Sequence, residues 1–155
     1  MKIGKIDIGR QGNFILAILL LYFLFFGYVC NAKGKNIGMQ LIFLYQVLFN
    51  PTTFLSFIIL FAIVFIMASR ENFFEYAIRN SIWLIPAIVI MSWIWYWFIY
   101  GFDIRVIYIY FYTVEGLLTI VSLLCTNLLA AILASIIKER RKLEKKVLIE
   151  EVTQT

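Results

Sequence analysis

Histidine is absent from the 155 residues, cysteine and proline occur twice each, and only 15% of the residues are charged. The missing histidine removes the commonest metal ligand and general base. Cys30 and Cys125 could form one bridge, but Cys125 sits in the middle of an apolar block, which disfavours pairing with Cys30 at a membrane surface. No phosphate-binding loop, metal-ligand spacing, paired intramembrane carboxylates, or nucleophile beside a base is present. The chain therefore does not read as an enzyme and implies no metal or other cofactor.

Apolar residues fill the space that charge leaves. They make up 63% of the chain, with aromatics at 18%, and they come in long blocks. A water-soluble domain of this size lacks the polar atoms to cover so much apolar surface, so the sequence reads as an integral membrane protein. Fourteen Lys and Arg against nine Asp and Glu leave a formal charge of +5. In a membrane protein that excess is chiefly a topology signal, and no direct nucleic-acid partner is expected.

Residues 1–13 form a polar start, followed by an apolar block taken as a first span over 14–30. The block could serve as the h-region of a signal peptide, but Cys30-Asn31-Ala32 makes a mediocre cleavage site. Residues 37–68 are then too long for one simple span at about 1.5 Å per residue across a core of about 30 Å. Asn50-Pro51-Thr52-Thr53 divides them: Asn is a good N-cap and Pro suits a first helical turn. The second span is placed at 52–69 and residues 37–49 become an interfacial or folded-back piece. A single long, kinked helix is the competing arrangement. Residues 69–80 read as a polar connection.

The third span, 81–100, contains Pro86, which should kink it, and ends in the aromatic girdle Trp93-Ile94-Trp95-Tyr96-Trp97-Phe98-Ile99-Tyr100. Tyr108, Tyr110 and Tyr112 alternate as in a strand. An unpaired strand edge in lipid is prohibitive, so residues 106–112 are expected to be helical at the interface. The fourth span covers 115–137. The expected fold is all-α: a four-span membrane domain, 1–137, arranged as two hairpins with short interfacial segments before the second and fourth spans, and a basic tail, 138–155. The halves resemble a coarse parallel repeat, the natural outcome of two hairpins.

With four spans, the N-terminus, second loop and tail share one side and carry eleven basic residues, against three on the other. The positive-inside rule then puts both termini in the cytoplasm; the expected location is a plasma membrane, the inner membrane of a bacterium.

Glu115 is the sole acid that could lie within the apolar region. A fourth helix beginning near Ile104 would bury it in the bilayer as a candidate for an ion path; one beginning at Thr113 would make it a first-turn acid favoured by the helix dipole. Glu115, Thr119, Ser122 and Thr126 recur at helical spacing, and Ser122, Thr126, Ala130 and Ala134 prolong the face. Small residues four apart let helix backbones approach, and their hydroxyls bond across helices or to their own carbonyls. A packing seam, including one between copies in a homo-oligomer, is weighed here against a pore lining. In the tail, Lys138, Arg140, Arg141, Lys142, Lys145 and Lys146 can hold anionic headgroups at about 1 kcal/mol per base. Leu143 and Val147, with the ending Val147-Leu148-Ile149-Glu150-Glu151-Val152, also fit a docking helix for a cytoplasmic protein.

The compact size, four-span topology and basic tail resemble the membrane subunit of Kiwa-type anti-phage defence systems. The resemblance is one of general architecture and carries over no residues. It implies a small membrane protein that senses infection at the envelope and acts with a cytoplasmic DNA-binding partner. A homo-oligomeric sensor or scaffold is thus the expected role. A channel or membrane-disrupting effector with Glu115 near its pore is the alternative, and a small transporter comes third.

Overall fold

The computed structural model describes residues 8–153, and every regular element among them is helical. Four stretches are long and apolar enough to cross a membrane: Gln11–Lys33, Pro51–Arg70, Phe74–Tyr100 and Val114–Val147. No more than 39% of the apolar window in any of them is buried inside the molecule. Their outer faces, with Phe23, Ile58, Ile90 and Leu129 exposed, therefore need lipid as solvent.

The first span is built from α1 (Ile8–Leu20), a π-helical turn over Leu21–Phe25, and α2 (Phe26–Lys33). The wide turn and the residues after it put Leu21, Phe25, Phe26 and Val29 in the core, where Tyr22 and Phe26 pack around Trp95.

The chain then folds inward. A 3₁₀ segment, Gly34–Leu41, leads to the short helix α3 (Leu44–Leu48) and a 3₁₀ turn, Pro51–Thr53. Ile37, Leu41, Ile42, Leu44, Val47 and Leu48 are all buried, so residues 37–49 form a folded-back plug. The single long helix is ruled out by Phe43, with ψ 72°, and by Asn50, with ψ 126°, both of which leave the helical path. Gly38, with φ +46°, turns its N–H to the Tyr100 hydroxyl at 2.8 Å. Irregular backbone survives at membrane depth only where protein covers it and its polar groups are met. At the end of α3, the Val47 carbonyl accepts from the Thr53 hydroxyl at 2.7 Å and the Ser56 hydroxyl at 3.3 Å. Asn50 caps the following turn, its Oδ1 accepting from the Thr52 N–H at 3.0 Å.

Helix α4 (Phe54–Arg70) is the second span and α5 (Phe74–Tyr100) the third. The polar connection is shorter than the expected 69–80, because α5 begins at Phe74 and takes Glu75, Arg79 and Asn80 into its first two turns. Helical geometry puts Glu75 and Arg79 one turn apart, a spacing that favours this extension. Pro86 lies inside α5, beside an apolar groove of about 320 Å³ lined in part by Val89, Trp93, Tyr110 and Ile120.

Helix α6 (Arg105–Tyr112) confirms the expected helix before the fourth span. It packs on the start of α7 (Val114–Thr153), which passes through the apolar region and continues unbroken into the tail. Helix α7 is the hub of the bundle, making its most extensive contacts with α4 and α5.

Candidate functional site

The basic end of α7 joins the membrane bundle to a projecting helix, and its residues divide into two groups. Toward the bundle, small side chains on three helices meet: Ala68 of α4, Ala77 of α5, and Ala131 and Ala134 of α7 form one buried cluster. Such residues let helix backbones come close, which replaces the missing hydrophobic drive between helices in lipid. Thr119, Thr126 and Ala130 are buried on the same helix, while Ser122 is half-buried.

The seam from Thr119 to Ala134 is thus a packing face within one chain. Three hydroxyls of α7 turn back to their own helix: Thr119 donates to the Glu115 carbonyl at 2.9 Å, Thr126 to the Ser122 carbonyl at 2.8 Å, and Ser135 to the Ala131 carbonyl at 2.9 Å. A hydroxyl bonded in this way spends its donor within its own helix and keeps only acceptor lone pairs. The interhelical contact comes from Asn127, which the sequence placed only on the flank. Its Nδ2 donates to the Ser81 carbonyl at 3.0 Å, while Oδ1 is buried without a partner.

Glu115 falls in the first turn of α7 and is half-buried. The helix does not begin near Ile104, because Thr113 is extended, with φ −102° and ψ 151°, and separates α6 from α7. The distance from Glu115 to Lys138 is about 34 Å along the helix, just more than a hydrocarbon core of about 30 Å. The two charges therefore bracket the apolar stretch, each at a boundary. Glu115 has the dipole-favoured position of a first-turn acid.

At the other bracket Lys138 belongs to the bundle. Its Nζ donates to the Ser69 carbonyl at 3.1 Å and to the Glu71 carbonyl, the free acceptors at the end of α4. The Glu71 side chain is buried below, and its Oε1 accepts from Asn80 of α5 at 3.0 Å. One lysine thereby ties α7 to α4, and Glu71 ties that turn to α5.

Beyond this clamp the helix projects by about 22 Å to its end at Thr153. Arg140, Arg141, Lys142, Lys145 and Lys146 are all exposed. So are Leu143 and Val147, which share a stripe with Ile136. The six bases proposed from sequence are therefore five surface charges and one clamp. Lys138 could have been separated from them only by its position, since it is the first charge after the apolar run.

Among the described residues no group of His, Cys, Asp or Glu could hold a metal ion. No family model, curated protein or solved structure matches the chain.

Proposed function

We propose that this protein is a membrane-anchored scaffold or sensor whose projecting helix recruits a cytoplasmic protein, with both termini on the cytoplasmic side. The observation that carries this is the continuity of α7 from the bundle core to Thr153. Displacement of the bundle at Lys138 is transmitted along a rigid rod to Leu143 and Val147, with no loop to absorb it. A plain stop-transfer anchor needs bases at the headgroups, and it gains nothing from exposed Leu143, Val147 and Ile149 further out. Interleaved bases and apolar side chains fit a partner with an apolar groove rimmed by acids. The distribution of Lys and Arg supports the orientation. A role in anti-phage defence is the biological setting that the architectural resemblance adds to this proposal. Since the seam of α7 is occupied within the chain, a homo-oligomer would assemble through another face.

The test is the mass of complexes released in mild detergent. Truncation after Arg140 retains Lys138 and therefore the bundle. It should lose the cytoplasmic partner, as should the double substitution Leu143→Asp with Val147→Asp. Complexes of unchanged mass from both variants would overturn the proposal.

A further inference from the structure

The basic end holds a second feature that neither the bundle nor the projecting helix uses. Between α1 and α5 lies a cleft of about 340 Å³ lined by Gln11, Phe14, Ile15, Arg79 and Asn80. A neighbouring hollow of about 330 Å³ shares Phe14, Arg79 and Asn80 and adds Trp83. Gln11, Phe14 and Ile15 form a stripe at helical spacing on α1, and Tyr76, Arg79 and Trp83 form another on α5. Polar groups lie toward one end of each stripe and apolar ones toward the other.

Depth gives this arrangement its meaning. Residues 80–99 carry no charge, and Arg79 lies about 31 Å along α5 from Tyr100, the end of the aromatic girdle. With Tyr100 at one boundary of a core of about 30 Å, Arg79 lies at the other. Trp83 is one turn deeper, 63% exposed, where acyl chains begin. The exposed Arg79 guanidinium lies 4.8 Å from the Tyr76 ring centre, which limits its swing, and Glu71 holds the Asn80 amide. Glu75, the other charge on α5, is one turn nearer the helix start and exposed.

We infer that this cleft binds an anionic phospholipid of the leaflet at the basic end, with its phosphate on Arg79 and Gln11 and an acyl chain along Phe14, Ile15 and Trp83. A guanidinium grips phosphate through two parallel hydrogen bonds. Basic pockets between membrane helices select acidic headgroups over zwitterionic ones.

The full chain in nanodiscs tests this through quenching of Trp83 by brominated acyl chains, isolated as the difference from Trp83→Phe. Brominated phosphatidylglycerol should quench at about fivefold lower mole fraction than brominated phosphatidylcholine. Arg79→Gln should bring that ratio to about one, while Arg79→Lys keeps most of it and guards against misfolding as the cause. A triple variant, Lys142→Gln, Lys145→Gln and Lys146→Gln, should leave the ratio unchanged. Equal quenching by the two lipids, or a preference that survives Arg79→Gln or vanishes in the triple variant, would overturn the site. Relief of quenching by soluble glycerol phosphate would overturn the lipid assignment in favour of a free phosphate ligand.

Discussion

Gly116 has no room for a methyl group. A Cβ there would lie 1.7 Å from the Tyr110 carbonyl oxygen, so the backbone of α6 rests directly on the first turn of α7. Gly116→Ala must push α6 away. The expected cost is at least the 1–3 kcal/mol or so of an overpacked core, seen as a lower melting temperature and faster tryptic cleavage at Arg105. Lys138 is the second decisive residue. Lys138→Met should destabilise the bundle by about 1–3 kcal/mol, because it withdraws a charged donor from two terminal carbonyls. Lys142→Met, further along the same helix, should leave thermal stability within about 0.5 kcal/mol. Equal melting of the two variants would mean that the clamp contributes nothing.

At the scale of elements, α7 combines three roles along its length: a boundary acid, a close-packed seam and a projecting rod. Ala130 is wholly buried in the seam and Leu129 beside it is 56% exposed. Ala130→Leu should therefore unfold the monomer at a lower temperature, by about 1–3 kcal/mol of overpacking, whereas Leu129→Ala should be near neutral in lipid. If the seam joined separate copies, Ala130→Leu would instead change oligomer mass without loss of monomer stability. The small-residue spacing was legible in the sequence as a contact face. Its partner was not, because α4 and α5 offer Ala68 and Ala77 at positions that become neighbours only once the hairpins close. The plug was half legible. Asn50 and Pro51 marked its end through local capping chemistry, while its burial depends on helices distant in sequence.

For the whole molecule, the charge distribution predicts a testable orientation. In a variant with Cys30 and Cys125 replaced by Ser, a cysteine at position 142 should resist an impermeant maleimide in intact cells. A cysteine at position 103 should react. The reverse pattern would invert the protein and put the projecting helix outside the cytoplasm. In that orientation the cleft at Arg79 would open to the inner leaflet, on the same side of the membrane as the projecting helix.

Class and span number were determined by the sequence alone, because apolar run length and charge placement are local properties that lipid reads directly. The helical state of residues 106–112 followed from the same constraint, the impossibility of an open strand edge in hydrocarbon. Only the tertiary structure decided which charges and small residues face inward. Lys138 differs from Lys142 only because the end of α4 lies beside it. Gly116 matters because α6 turns back over it, and Arg79 lines a cleft because α1 stands opposite. Each of these is a long-range juxtaposition, set by how three apolar rods pack around α7, and hydropathy carries no record of it.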